Sequence, residues 1–190
     1  MNKKKIRKNP KKLLITIIIA LVILVIAIIG INKLMIKTLY KKEYSEYVSK
    51  YSKKYVVEEN LIYALIKAES NFDENAVSNK NAKGLMQLMY STAEEIANKN
   101  QIELTEENIL EPEININIGT KYISDLLQKY ECVEVALAAY NAGSGNVDKW
   151  IKNGIIKSDG SDIENIPFKE TNTYVRKIMM DYKIYMQLEK

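Results

Sequence analysis

The chain has 190 residues, 28 Lys plus Arg against 24 Asp plus Glu, one cysteine and no histidine. Without an imidazole there is no Ser-His-Asp triad, no Cys-His pair and none of the common zinc sites, so acid-base chemistry falls to carboxylates. Cys132 has no intrachain disulfide partner and no second thiol or imidazole with which to hold a metal, and reads as a small buried apolar side chain.

The net charge of +4 separates along the chain. Residues 1–12 hold Lys3, Lys4, Lys5, Arg7, Lys8, Lys11 and Lys12 and no acid, and residues 13–31 hold no charge at all, which leaves 21 basic against 24 acidic residues in 32–190. The uncharged run is 19 residues of mostly Ile, Leu and Val. At about 1.5 Å rise per residue, such a helix spans roughly the 30 Å hydrocarbon core of a bilayer. A cleaved secretory signal would show a shorter apolar core and an A-x-A-like site, whereas this run ends Ala27-Ile28-Ile29-Gly30-Ile31. The reading is a transmembrane signal-anchor over 13–31. Seven positive charges before it place the 1–12 tail in the cytoplasm and the rest outside, single-pass and tethered to the cell membrane.

The remainder divides into a juxtamembrane helix or stalk, 32–56, and one domain, 57–190, a length able to bury most of its surface. The stalk reading rests on the charged, tyrosine-rich stretch 41–55. Residues 58–69 read as a helix with acids in its first turn and a stripe at Ile62, Leu65 and Ile66. Ser91-Thr92-Ala93-Glu94 has the form of a capping box that opens a helix to about Asn98. Pro112 suits the first turn of the next helix, which continues through Ile118, Tyr122, Leu126 and Tyr130. Residues 133–140 are Ala-rich and helical, with Gly143 and Gly145 as stops. The C-terminal stretch places Tyr174, Val175, Ile178, Met179, Tyr182, Tyr185 and Met186 on one face. No run of alternating strands is visible, so the fold class is mainly α with a minimal sheet. Thirteen tyrosines against two phenylalanines suit a wet groove as well as a core.

Glu69 is the most informative acid. It lies four residues after Leu65 and three after Ile66, on their face of the helix, and at the C-terminal end, where the helix dipole disfavours a negative charge. Both effects raise a carboxyl pKa, as a general acid working near neutrality requires. The plain alternative is a helix-end surface glutamate.

The neighbourhood of Glu69 shifts the balance between the two. Ser70 succeeds it directly and Ser78 stands nine residues on. Then come Gly84-Leu85-Met86-Gln87, Asn115-Ile116-Asn117-Ile118-Gly119-Thr120-Lys121-Tyr122, Ala139-Tyr140-Asn141-Ala142-Gly143, and Glu170-Thr171 before Tyr174-Val175. Over about residues 57–186 this order and spacing resembles the soluble-lytic-transglycosylase-like (SLT) domains of the lysozyme-like superfamily, which cleave peptidoglycan. The resemblance implies a lysozyme-like fold, Glu69 as the single catalytic acid and base, and substrate contacts from Ser78, Met86, Gln87, Tyr140 and Asn141. Each has a plainer reading beside this: Ser78 as a loop cap, Gly84 as a turn residue, Met86 as core, Tyr140 as a buried helix aromatic. Three positions depart from the family pattern: Asn81 where glycine is usual, Tyr90 where proline is common, and Asn172 where arginine often stands.

Most glycoside hydrolases need two carboxylates. The resemblance implies instead a membrane-anchored lytic transglycosylase in which Glu69 protonates the bond between N-acetylmuramic acid and N-acetylglucosamine, then takes a proton from the muramoyl 6-hydroxyl to leave a 1,6-anhydro end. Help to the oxocarbenium-like centre that develops is assigned to groove dipoles such as the Tyr140 hydroxyl, or to the substrate's own N-acetyl group. The alternatives are a goose-type-lysozyme-like muramidase that hydrolyses, or a non-catalytic wall-binding scaffold. No cofactor and no metal is expected. Peptidoglycan strands and the membrane are the expected partners, with wall-synthesis or secretion machinery as candidate protein partners. Nucleic acid is disfavoured because the basic cluster lies in the short tail while the domain is mildly acidic.

Overall fold

The computed structural model describes residues 10–189. The cluster Lys3, Lys4, Lys5, Arg7 and Lys8, and with it most of the tail assigned to the cytoplasm, lies outside the described residues. The chain divides between Lys41 and Lys42 into two compact units.

The first is a single helix, α1 (Pro10–Leu39), which runs past the uncharged stretch to Leu39. Its segment Ile17–Leu39 is long and apolar enough to cross a membrane, and none of it is buried within the protein.

The second unit packs seven helices: α2 (Ser45–Tyr55), α3 (Glu59–Glu69), α4 (Tyr90–Asn100), α5 (Pro112–Tyr130), α6 (Val133–Ala142), α7 (Ser144–Lys152) and α8 (Lys169–Leu188), with short 3₁₀ turns at Asn108–Leu110 and Ile163–Asn165. Helix α3 is the centre. Every residue from Asn60 to Ile66 is buried, because α8 and α2 pack on it while α5 and α6 pack on each other and α6 also meets α8. Sheet structure among the described residues is limited to two isolated antiparallel bridges, Val77 with Lys83 and Lys83 with Leu88. The fold is therefore mainly helical, as the sequence indicated.

Four local expectations change. The stretch read as a stalk is part of the folded unit from Lys42 onward: α2 buries Val48, Tyr51 and Ser52 and packs against α5 and α3. Its buried stripe has a single aliphatic residue, Val48, beside Tyr51 and Ser52, which is why the stretch showed no apolar helical period. The capping box does not form. Leu88 exchanges backbone hydrogen bonds with Lys83, the chain turns immediately afterwards, and α4 opens at Tyr90 with Met89 as its N-cap, so Ser91 is already inside the helix. Tyr90 thus takes the first helical position, which proline also fits. Gly143 ends α6 at φ 84°, but Gly145 lies inside α7 and stops nothing. Cys132 is half-buried beside Glu134.

The C-terminal face is also more polar than its pattern suggested. Asp181 is buried with Val175, Ile178 and Tyr185, and forms an ion pair with Lys67 at 2.8 Å that ties α8 to α3.

Candidate active site

Helix α3 delivers Glu69 at its last turn, and the chain then reverses sharply. Asn71 and Phe72 come next in the left-handed region at φ 52° and 69°. For a bulky residue such as Phe this is an outlier worth roughly 1–3 kcal/mol of strain. Burial of the Phe72 ring offsets it, and the Ser70 hydroxyl accepts the Phe72 N–H at 3.1 Å. The reversal turns residues 70–88 back over α5 as one wall of a cleft.

That wall is anchored from behind. The buried Asn115 side chain of α5 accepts the Met86 N–H at 2.8 Å and donates to the Lys83 and Ile109 carbonyls at 3.0 and 2.9 Å. Two glycines allow this approach. A Cβ on Gly84, which sits at φ +76°, would come within 2.4 Å of the Asn115 amide nitrogen, and a Cβ on Gly119 within 2.4 Å of the Met86 sulfur. The Gly-Leu-Met-Gln block and the Asn115 to Gly119 run are thus two halves of one contact.

The opposite wall comes from the end of α6 and the start of α8. The Thr171 hydroxyl donates to the Asn141 side-chain carbonyl at 2.7 Å, and the Tyr174 hydroxyl donates to the Glu69 carboxylate at 2.5 Å. The rings of Tyr122 and Tyr140 pack 4.8 Å apart. The cleft between the walls holds about 620 Å³ and is lined by Glu69, Ser78, Gln87, Tyr140, Asn141 and Phe168, among others.

Glu69 is half-buried at the bottom of this cleft. Desolvation pushes its carboxyl up to about 7, against the hydrogen bond from Tyr174 and the charge of Lys177, which both pull it down. Tyr174 and Tyr140 are raised well above the ordinary tyrosine range, chiefly by burial and then by the Glu69 charge, so both stay protonated as donors. The arrangement is a carboxylic acid pushed up to about 7, aimed by one phenol, at the bottom of an open cleft of about 620 Å³.

Of the residues singled out from sequence, the cleft brings together Glu69, Ser78, Gln87, Tyr140 and Asn141. Met86 is placed elsewhere. Its side chain is fully buried against Gly119, so it stands behind the wall and contributes through its backbone. The Tyr140 hydroxyl donates to the Met86 carbonyl at 2.9 Å and is thereby committed to holding the wall. Gln87, at φ 47°, spends its amide on the Ala76 and Gly84 carbonyls at 3.0 and 2.9 Å. The Ser78 hydroxyl accepts the Lys80 and Ala82 N–H groups at 3.2 and 3.0 Å, which is the loop-cap role, at the cleft edge. Asn81 takes the glycine-like conformation its position requires, at φ 63°. At the third departure, Asn172 donates to the Ile163 carbonyl at 2.8 Å and accepts from Arg176, one turn further along α8, at 2.9 Å.

Sequence reasoning passed over Tyr174 as the partner of Glu69. Its signal was present: Tyr174 precedes Val175 on the face that α8 packs inward and stands four residues after Glu170.

The comparisons fit this geometry. Residues 46–161 match the transglycosylase SLT domain. The chain belongs to that family. It is 34% identical over 140 residues to the soluble lytic murein transglycosylase of Salmonella typhimurium, covering 72% of this chain and 22% of that one. It is 31% identical over 169 residues to the membrane-bound lytic murein transglycosylase C of Edwardsiella ictaluri, covering 77% and 47%. Among solved structures, the lytic transglycosylase Slt of Pseudomonas aeruginosa, determined as an inactive glutamate-to-glutamine mutant, superposes with a TM-score of 0.71 at 33% identity, covering 78% of this chain and 24% of that chain. The 70 kDa soluble lytic transglycosylase of Escherichia coli superposes with the same TM-score at 28% identity, covering 79% and 25%. The chain thus spans about a quarter of the length of these soluble relatives and just under half of the membrane-bound one. The match to the SLT family begins at residue 46, inside α2, in keeping with the place of that helix in the folded unit.

Proposed function

We propose that this SLT-family chain is a membrane-anchored lytic transglycosylase that cleaves the β-1,4 bond between N-acetylmuramic acid and N-acetylglucosamine in peptidoglycan and leaves a 1,6-anhydromuramoyl end. The observation that carries the reading is the Glu69 carboxyl, raised to about 7 in the cleft and held by the Tyr174 hydroxyl. The names of the family's murein-cleaving relatives support the substrate class.

At neutral pH a large fraction of Glu69 is protonated. It gives that proton to the glycosidic oxygen as the C1–O bond breaks and positive charge develops at C1. The muramoyl 6-oxygen then closes on C1, and the Glu69 carboxylate takes the 6-hydroxyl proton, which returns the enzyme to its starting state with no water consumed. Tyr174 keeps the carboxylate oriented through both transfers. The apolar segment Ile17–Leu39 serves as the anchor, with the basic N-terminal tail in the cytoplasm and the cleft outside, next to the wall.

A second reading has one observation in its favour. Glu170 lines the same cleft and offers a second carboxylate that would let a muramidase activate water. Mass spectrometry of digested cell wall separates the two: anhydromuramoyl ends, one water lighter than reducing ends, are expected, and reducing ends would assign hydrolysis. A Glu69→Gln protein that still cleaves would overturn both.

A further inference from the structure

The chain has 16 aromatic side chains: 13 tyrosines, one tryptophan and two phenylalanines. All of them lie among the described residues, and Phe168 alone is exposed, with 48% of its surface in solvent; Phe72, the other phenylalanine, is 6% exposed. The inversion is informative, since the tyrosines carry a polar tip that tolerates water and Phe168 has none. Its place is as unusual as its exposure, because it lines the Glu69 cleft at the α8 lip.

Its orientation is set from behind. The ring meets Trp150 of α7 edge to face, with centroids 5.0 Å apart and planes at 87°. Trp150 is 6% exposed and therefore fixed in the core. Ile166, also buried, and Pro167 hold the backbone that leads to Phe168, the N-cap of α8. An apolar ring face, pinned by a buried partner and opened to a polar groove, matches the flat C–H face of a pyranose, whose hydroxyls point outward to the polar groups on the facing wall.

We propose that Phe168 is the stacking platform for one N-acetylhexosamine ring of the glycan strand, with Trp150 as the residue that sets its plane. The proposal rests on the reading of the cleft as a glycan site and assigns one sugar position within it. Phe168 contributes affinity for the strand, and the bond cleavage stays with Glu69.

The arrangement supplies its own probe, because Trp150 is the only tryptophan in the chain. The test is a titration of the full-length Glu69→Gln protein in detergent micelles with chitohexaose, a β-1,4 oligomer of N-acetylglucosamine, read by Trp150 emission, with wall sedimentation in parallel. A saturable emission change is expected. Phe168→Ala should bind at least tenfold more weakly, and Phe168→Tyr within about threefold of the parent. Phe168→Leu keeps apolar bulk without a ring face and should behave as the alanine variant does; far-UV circular dichroism checks that all three fold. Unchanged affinity in Phe168→Ala, full affinity in Phe168→Leu, or sugar binding that leaves Trp150 emission still would each overturn the platform. The functional reading fails separately, by reducing ends in the wall digest, and that result leaves the titration series to judge Phe168 alone.

Discussion

The two walls of the cleft are built by opposite means. The wall formed by residues 70–88 has almost no regular structure and carries Asn71, Phe72, Asn81, Gly84 and Gln87 at positive φ. It keeps its shape because Asn115 and Gly119, on the rigid α5, hold it from behind. The wall formed by α6 and α8 is ordinary helix, and its side chains reach the cleft as direct partners of Glu69 and Asn141. Strain is thus concentrated where backbone amides and small turns shape the groove, while the group that aims the acid stands on a helix, where a side chain can be held most precisely. Glu69 sits at the seam and depends on both.

The comparison is open to test from each side, and the largest effect belongs to the irregular wall. Asn115→Ala removes one side chain from three backbone groups, two of them at buried contacts, and leaving these unpaired should cost about 2–4 kcal/mol in chemical denaturation and abolish wall digestion. A variant that retains wild-type stability would mean that the wall supports itself.

On the helical wall, Tyr174→Phe should leave stability within about 1 kcal/mol yet lower kcat by about 10–100-fold, since the acid loses its orienting donor. The pH profile gives the sharper readout. Tyr174 pulls the Glu69 pKa down, so its loss raises that pKa further, and the alkaline limb of activity should move to higher pH. A limb that stays in place or moves down would break the assignment.

At the seam, Glu69→Gln should separate stability from activity. The folded pKa of about 7 lies above the ordinary carboxyl value, so the folded chain holds the proton more tightly. That contribution is complete below the unfolded pKa and is lost as pH rises through 7, leaving a desolvated charge. Discounted for partial exposure, the glutamine variant should be about 1–2 kcal/mol more stable than the parent at pH 8 and no different at pH 4, by thermal denaturation at both.

The smallest effect belongs to the turn at the cleft edge. Asn81 occupies a left-handed conformation that glycine adopts freely, so Asn81→Gly should change stability by less than about 1 kcal/mol, whereas Asn81→Val should lose clearly more than that.

Much of the molecule was legible because the signals were local. Pro112 does open α5, Gly143 does close α6, and the apolar stripe of α3 does end on Glu69. The failures share one cause. The Ser91 to Glu94 pattern has the composition of a cap, but the chain enters α4 from the paired Lys83–Leu88 segment and turns two residues earlier. Helix α2 read as a stalk because it packs with tyrosine and serine around a single valine, and Met86 read as a cleft contact because its motif surrounds the cleft while its side chain faces Gly119. In each case the deciding contact lies outside the window in which the pattern was read.

The sequence by itself determined the charge division, the apolar helix, the helical character of the rest, and the place of Glu69 at the end of an apolar stripe, because hydropathy period, charge count and motif order are properties of the chain before it folds. Only the tertiary structure decided that Tyr174, 105 residues away, holds that acid, that Asn115 and two glycines hold the loop facing it, and that Phe168 stands open in the cleft. Those depend on how α3, α5 and α8 pack, and burial, which sets the Glu69 pKa, exists only after the packing is complete.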